Sequence, residues 1–336
     1  MSLSIAYAFA FLIAVTVLLF MITYGDGYSI SQVLLVAVIV VGNGGHFHLS
    51  VSETLEEAIV SLQLTYVMAL FSPMLLFINV CEIYKVQLRG WLLCIMYAIQ
   101  FGIFCCSMTI GHLGIFYRSV EYARTGDIVY LIKDYGPVHT LYIISIFVYF
   151  ALLILVSTGV IKRKRRISST DVTAIFFLEF FTIAVYIAQR MVGLKMELMP
   201  FAFDIGAILL MIPITKLNTY SITGNNEILR NRLDQEGYIF FDRKLRFMGC
   251  NEKACEFFPE LGEWEIEKKI TGKGGRFNTY LRQPLYKFLE NEDKSLASGN
   301  FLMKQERLYY HIGIIRNKSN RKQGYIIELD SREESD

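Results

Sequence analysis

Two carboxylate side chains lie within long apolar stretches of the sequence. Glu179 sits in the run FFLEFF near the middle of one stretch, and Asp204 lies a few residues into the next. Ionisable groups inside apolar membrane helices are costly to bury and therefore mark functional sites by default. Such a carboxylate either accepts a structural hydrogen bond from a neighbouring helix or receives a cationic or hydroxyl-bearing ligand. We keep both alternatives, and the hypothesis to test is that Glu179 and Asp204 belong to a ligand pocket open to the outer leaflet.

Basic residues near the predicted outer face supply possible partners for these carboxylates. They are Arg118, Arg190 and Lys195. The candidate ligand-binding residues are therefore Glu179, Asp204, Arg118 and Arg190. A membrane-embedded enzyme that uses the two carboxylates is a less favoured alternative, because no nucleophile or set of metal ligands accompanies them. We predict no catalytic residue.

The cysteines and histidines do not form a metal-binding pattern. The six cysteines include no CxxC pair and no Cys/His cluster with zinc spacing, so we expect them to be small buried side chains. His46 and His48 are separated by one residue, and no third ligand is fixed by spacing. We therefore favour an interfacial position for both, at the outer edge of a helix, and we predict no metal.

The composition indicates a membrane domain followed by a soluble one. The 336 residues are 54% hydrophobic, with a mean hydropathy of +0.40, which is too apolar for one soluble domain. Residues 1–220 hold 13 Lys and Arg and 12 Asp and Glu, whereas residues 221–336 hold 20 and 19 in about half the length. Because the net charge is only +2, there is no electrostatic case for a nucleic-acid partner.

Seven stretches are candidates to cross a membrane, since about 20 apolar residues span the hydrocarbon core. The first has neither the basic region nor the cleavage site of a signal peptide, so we expect it to remain as a helix. The predicted spans are residues 4–24, 29–46, 58–80, 90–113, 138–161, 172–192 and 200–217.

Basic residues set the predicted orientation, because positively charged short loops stay in the cytoplasm. The loop after the fifth span carries the consecutive residues Lys162, Arg163, Lys164, Arg165 and Arg166. This run predicts an external N-terminus and a cytoplasmic C-terminal part. The same residues are also a possible contact for anionic lipid headgroups.

The predicted external loop of residues 112–137 is longer than a simple connection between helices requires. It is mixed in charge and contains four tyrosines. Ligand binding and packing as a lid over the bundle are the two alternatives that we keep for it.

The last hundred residues predict an α+β domain. Strands are expected at 237–242 and 245–251, followed by a helix that Asn251 caps, a second helix at 278–290, and strands at 300–304, 308–316 and 323–329. Two strands, small helices and three further strands indicate a five-stranded antiparallel sheet with helices beside it.

The first part of the chain resembles the N-terminal seven-helix region of bacterial histidine kinases. The segment Gly45 to Tyr84 opens a helix with acidic and small residues, continues through Phe71 and Pro73, and ends in Glu82-x-Tyr84. The later run YGPVHTLYIISIFVYF is similar to the Gly-Pro start of that family's fifth helix. The resemblance covers about residues 1–220 and implies a membrane sensor.

The C-terminal part resembles a PAS sensor domain over about residues 234–334. The run EGYIFFDRKLRFMGCNEKACEFF is similar to its first hairpin and Asn-initiated helix, and Asp330 and Glu333 are similar to its Asp-x-x-Glu end. A photoreactive flavin cysteine would need a signature that Cys255 lacks. His311 is the only histidine available for haem, and we expect a PAS relay without a cofactor.

Together these observations predict a seven-helix transmembrane sensor domain (1–217), a signalling linker helix (218–233) and a cytoplasmic PAS-like domain (234–334). We expect a homodimeric, multi-pass receptor for an external small-molecule or lipid-like ligand, which relays its signal through the seventh helix. The chain has no catalytic motif. We expect either a fragment or a stand-alone receptor, controlling a histidine kinase or diguanylate cyclase module. A small-molecule transporter with a regulatory tail is the alternative, disfavoured because no internal repeat is evident.

Overall fold

The computed structural model describes residues 3–24, 28–84, 86–126, 128–162, 169–194, 196–219, 236–270, 275–291, 297–303, 306–316 and 321–331. The chain divides into two compact units. The membrane unit contains Met1–Ile161 and Asp171–Ile214, and the C-terminal unit contains Lys162–Thr170 and Thr215–Asp336.

Helices dominate the membrane unit. Within the part of the chain that the structure describes, the first five helices are long and apolar enough to cross a membrane. The last two contain shorter apolar segments, at Thr173–Gln189 and Met199–Thr215. The helices are α1 (Leu3–Tyr24), α2 (Ile30–Val51), α3 (Leu55–Ile83), α4 (Gly90–Ser107), α5 (Pro137–Lys162), α6 (Ser169–Val192) and α7 (Met199–Thr219).

The second helix is longer than the sequence predicted. Helix α2 begins after the capping box of Ser29 and Gln32 and continues through the glycine cluster to Val51, so the prediction that it ends at His46 was wrong. The glycines bring α3 close. A Cβ atom on Gly45 would lie 2.8 Å from Leu64 Cβ and 2.9 Å from the Ser61 carbonyl oxygen. Small residues permit such an approach of two helix backbones in a membrane.

The fourth helix is shorter than predicted, because it ends at Ser107 rather than at residue 113. Ser107 Oγ donates to the Phe104 carbonyl at 2.8 Å, and Thr109 Oγ1 donates to the Cys106 carbonyl at 2.7 Å. Gly111 follows with φ +87°, a conformation that ends helical propagation. These local bonds stop α4 although the residues beyond it are largely apolar.

The predicted loop of residues 112–137 contains an antiparallel hairpin, β1 (Tyr117–Thr125) and β2 (Ile128–Tyr135). It packs on the membrane helices. Tyr122 Oη donates to the Ser52 carbonyl at 3.0 Å, and Tyr117 is hydrogen-bonded to Tyr66 of α3. The hairpin therefore covers the turn between α2 and α3. Of the two alternatives for this loop, ligand binding by its exposed side chains stays a prediction.

The C-terminal unit contains the predicted five-stranded antiparallel sheet. Its strands are β3 (Gly237–Asp242), β4 (Phe247–Cys250), β5 (Ser298–Met303), β6 (Glu306–Arg316) and β7 (Lys322–Asp330). Short helices lie between β4 and β5 in the chain: α8 (Glu252–Phe257), a 3-10 helix (Pro259–Glu263), α9 (Arg276–Tyr280) and α10 (Arg282–Asn291). The strand order in the sheet is β4-β3-β7-β6-β5.

The core of the C-terminal unit lies between the helices and one face of the sheet. Phe241 of the interior strand β3 contacts Phe247 and Phe277. Trp264 packs edge-on against Phe247 and Phe277, with ring centroids 5.3 and 5.0 Å away. Asn251 fixes the first turn of α8, as the sequence predicted. Its Oδ1 accepts hydrogen bonds from Ala254 N–H at 3.0 Å and Tyr238 N–H at 2.8 Å, and its Nδ2 donates to the Glu236 carbonyl.

Replacing Asn251 with alanine is expected to weaken this corner of the domain by about 2 kcal/mol, because a cap residue alone contributes roughly 0.5–2 kcal/mol. Hydrogen exchange of the full chain, followed by mass spectrometry, measures the effect at the peptides containing Tyr238 and Ala254. Asn251→Asp is the matched comparison, since it keeps both acceptor bonds but replaces the donation to the Glu236 carbonyl with a contact between two acceptors. An intermediate increase in exchange is therefore expected for it. Equal exchange in the alanine variant and the unsubstituted chain would contradict this role.

Candidate functional site

The buried carboxyl of α7 is paired with an amide of α2. Asp204 is 4% exposed, and its Oδ1 accepts a hydrogen bond from Asn43 Nδ2 at 2.8 Å. The same Nδ2 donates to the Ala10 carbonyl of α1 at 3.3 Å. Both hydrogens of the Asn43 amide are thus in use, and one side chain joins α1, α2 and α7.

A second set of hydrogen bonds lies where α6 is connected to α7. Tyr7 Oη donates to the Glu197 carbonyl at 3.0 Å and accepts from Glu197 N–H at 2.8 Å. Gln189 Nε2 donates to the Glu197 carboxylate, and Gln189 Oε1 accepts from Leu198 N–H at 2.9 Å. Helices α1 and α6 therefore hold the backbone of the segment that leads into α7.

Aromatic rings bring the two sets together. The Tyr7 ring stacks on Phe201 of α7, with centroids 5.8 Å apart, and lies 5.8 Å from the ring of His46 in α2. We call Tyr7, Asn43, His46, Gln189, Glu197 and Asp204 the Asp204 cluster. Its side chains come from α1, α2, α6, α7 and the α6–α7 connection.

Two oxygens of the cluster have no hydrogen-bond partner among the described residues. They are Asp204 Oδ2 and Asn43 Oδ1, and both are buried. Each is an acceptor, so neither satisfies the other in the ionised form of Asp204. A buried polar atom without a partner costs about 1–3 kcal/mol. The cluster is therefore suited to receive a group that donates hydrogen bonds to these two oxygens.

The predicted ligand-binding residues are only partly assembled by the described structure. Asp204 lies in the cluster, whereas Arg118 is exposed on β1 and forms no described hydrogen bond or ion pair with Asp204. The side chains of Glu179 and Arg190 lie outside the described part of the chain, so the prediction for them stays open. Of the predicted basic run, residues 163–166 and the side chain of Lys162 also lie outside it.

Four members of the cluster were missed by the sequence analysis: Tyr7, Asn43, Gln189 and Glu197. A signal was available for Asn43, which is an amide within the apolar run VVGNGG. An amide in one span and a carboxylate in another are a possible hydrogen-bonded pair in lipid. The spacing of 161 positions between the two residues left the pairing undetermined before folding.

The two histidines occupy different surroundings. His46 is buried beside Tyr7, and its interfacial position stays a prediction. The ring of His48 is hydrogen-bonded through Nδ1 to Ser61 Oγ at 2.6 Å. Within the described ranges, no group of three or more His, Cys, Asp or Glu residues is arranged to hold a metal ion.

A second polar group fixes the start of α2 to the end of α3. Glu82 accepts hydrogen bonds from Ser29 Oγ at 2.6 Å and from Ser31 Oγ at 2.7 Å. Ser31 Oγ also lies 3.2 Å from Asn79 Oδ1, and Asn79 Nδ2 donates to the Leu75 carbonyl. Both carboxylate oxygens of Glu82 accept hydrogen bonds. This group therefore has the features of a structural contact between α2 and α3 rather than of a ligand site.

The geometry defines a helical membrane protein with a polar cluster buried among its helices. The family model for the N-terminal 7TM region of histidine kinase matches residues 2–223, about two thirds of the chain. The chain belongs to this family. It therefore carries the membrane sensor region of a signal-transduction protein, as the resemblance over residues 1–220 implied. None of the curated proteins compared with the chain matches it.

Proposed function

We propose that the chain is a transmembrane receptor that recognises an external or membrane-soluble ligand at the Asp204 cluster. The observation that carries this proposal is the pair of buried oxygens, Asp204 Oδ2 and Asn43 Oδ1, that lack donors among the described residues. The family match supports the sensory role. A purely structural pair would be expected to satisfy its own acceptors, as Glu82 does.

The ligand class follows from the two acceptors. A carboxylate oxygen next to an amide oxygen favours a small molecule with a cationic N–H group or a hydroxyl group, since both supply hydrogens and the former also supplies charge. The stacked rings of Tyr7 and Phe201 form an aromatic side of the cluster, which suits a small or lipid-like molecule that reaches it between helices. Arg118, Arg190 and Glu179 remain proposed members of the same pocket.

The signal passes through α7 in this proposal. Asp204 belongs to that helix, and the chain continues from it through residues 218–233 into the C-terminal unit. A ligand shifts α7 only if it binds two packings of the bundle with different affinity. Helix shifts of about 1–2 Å are sufficient for such switching. We further propose seven spans, an external N-terminus, a cytoplasmic C-terminal unit and a homodimer.

We propose that the C-terminal unit is a PAS-type relay that controls a histidine kinase or diguanylate cyclase module. Two strands, small helices and three antiparallel strands support this assignment, as does the helix that Asn251 caps. His311, the residue considered for haem, is exposed on β6 and hydrogen-bonded to Ser298 Oγ at 2.7 Å. Glu333 of the Asp-x-x-Glu end lies outside the described residues.

A single-tryptophan variant provides the test. The chain has two tryptophans, Trp91 of α4 and Trp264 of the C-terminal core, so Trp91→Phe leaves Trp264 as the fluorescent reporter. The full chain in lipid nanodiscs is mixed with ethanolamine, ethylene glycol or tetramethylammonium. The last probe has the same charge as ethanolamine but no N–H donor. We expect ethanolamine, and more weakly ethylene glycol, to raise the melting temperature and change the Trp264 emission, because bound ligand stabilises the folded state.

Asp204→Asn is expected to abolish the response to ethanolamine, since it removes the negative charge with little change in shape. Thr182→Val is the matched control, because the Thr182 hydroxyl is also buried in the membrane unit but donates only within α6, to the Leu178 carbonyl at 2.9 Å. An equal response in the Asp204→Asn variant would exclude this site. A shift in melting temperature without any change at Trp264 would refute the relay but not the site.

A further inference from the structure

Two thiols of the C-terminal unit face each other. Cys250 is the last residue of β4 and Cys255 lies in α8, and their Sγ atoms are 3.2 Å apart. Both are reduced, and both are half-buried against the core of the domain. Their sequence pattern predicts only small buried side chains, because no CxxC pair is present.

The local backbone produces this approach. The strand ends at Cys250, Asn251 caps the helix, and the chain reverses so that the first turn of α8 returns over the end of β4. A disulfide has an S–S distance of about 2.05 Å, so the sulfurs must approach by roughly 1.2 Å. Small rotations about the Cα–Cβ bonds of two half-buried side chains supply a movement of that size.

We propose that Cys250 and Cys255 form a redox modification site that closes to an intramolecular disulfide. The oxidant is hydrogen peroxide. One sulfur attacks the peroxide O–O bond, which gives a sulfenic acid and one water. The second thiol then attacks that sulfur, the S–S bond forms, and the sulfenic oxygen leaves as a second water. Two thiols lose two protons and two electrons, and one hydrogen peroxide becomes two waters. A dithiol reductant reverses the reaction.

The position of the site gives the disulfide a structural effect. Cys250 and Cys255 bracket Asn251, whose side chain binds the Glu236 carbonyl and the Tyr238 N–H. Glu236 and Tyr238 lie at the beginning of the C-terminal unit as described, next to the segment that follows α7 in the chain. We therefore expect the disulfide to restrict the turn between β4 and α8 that the hydrogen bonds of Asn251 stabilise. This inference does not depend on the Asp204 cluster.

Trypsin makes the test direct, because Lys253 lies between the two cysteines. Complete cleavage gives one peptide of residues 247–253 with Cys250 and another of residues 254–268 with Cys255. The full chain in nanodiscs is treated with hydrogen peroxide, free thiols are blocked with N-ethylmaleimide, and the digest is analysed without reduction. We expect the two peptides to be joined by a disulfide, and dithiothreitol to restore maleimide labelling of both cysteines.

Controls separate this result from other thiol chemistry. Cys94, Cys105 and Cys106 of α4 remain as internal references, and we expect each to keep its maleimide adduct. In Cys250→Ser and Cys255→Ser the joined peptides must be lost. If these variants fail to fold, the measurement on the unsubstituted chain decides the question. A joined pair that migrates as a dimer on a non-reducing gel, or oxidation of one cysteine to a sulfinic acid with the other still labelled, would overturn the proposal.

Discussion

Gly45→Ala is expected to disrupt the contact between α2 and α3 and to destabilise the membrane unit by about 2–3 kcal/mol, at the upper end of the cost of overpacking. The added Cβ would lie 2.8 Å from Leu64 Cβ and 2.9 Å from two backbone atoms, Ser61 O and Thr65 N. Backbone atoms within a helix cannot move aside separately. The two helices must therefore separate along this part of their contact.

Unfolding of the full chain from mild detergent into increasing fractions of sodium dodecyl sulfate measures this loss. Gly102→Ala in α4 is the matched control, because nothing lies within 4 Å of the position that its Cβ would take. Alanine is favoured over glycine in a helix by up to about 1 kcal/mol, so the control is expected to be neutral or slightly more stable. Identical unfolding midpoints for the two variants would show that α2 and α3 are not in close contact at Gly45.

The second large effect is expected from Asn43→Leu, which removes the only hydrogen-bond donor that the described structure gives Asp204. A buried carboxyl without its donor is expected to cost about 3 kcal/mol, because an unsatisfied buried polar group costs about 1–3 kcal/mol and a charged one more. The apolar substitution also removes the bond to the Ala10 carbonyl of α1. The same detergent titration measures the change.

A double-mutant cycle distinguishes this mechanism from a loss of packing. Asp204→Leu alone removes one of the two acceptors of the Asn43 amide and is expected to destabilise as well. The double variant Asn43→Leu/Asp204→Leu is expected to lie within about 1 kcal/mol of the unsubstituted chain, because removal of both polar partners is nearly neutral. If the two single losses simply add, the hydrogen bond is not what joins α2 to α7. If the double variant is as stable as expected but no longer binds ethanolamine, Asn43 and Asp204 take part in ligand recognition.

Features that depend on neighbouring residues were predictable from the sequence. The lengths of the apolar stretches located the first five helices, and the residues of high strand propensity in GYIFFD and LYYHIGIIR located two strands of the C-terminal sheet. Asn251 was identified as a helix cap from its position between a strand and an apolar helical face. The family resemblance over residues 1–220 was confirmed because its motifs are local as well.

The errors arose where the environment outweighs local preference. The glycines of VVGNGG favour a break in water, but in lipid the freed backbone groups would have no partner, so the helix continues to Val51. Conversely, α4 stops at Ser107 although the residues beyond it are largely apolar, because hydroxyl-to-carbonyl bonds and Gly111 end it locally.

The sequence by itself determined that this protein is an apolar helical domain joined to a small α+β domain, because hydropathy and capping act over a few residues. Tertiary structure alone decided that Asp204 meets Asn43 and that Tyr7 of α1 meets Glu197. Each of these pairings depends on the depth and rotation at which packed elements face one another. That geometry results from the packing of all the elements together, and no single segment contains it.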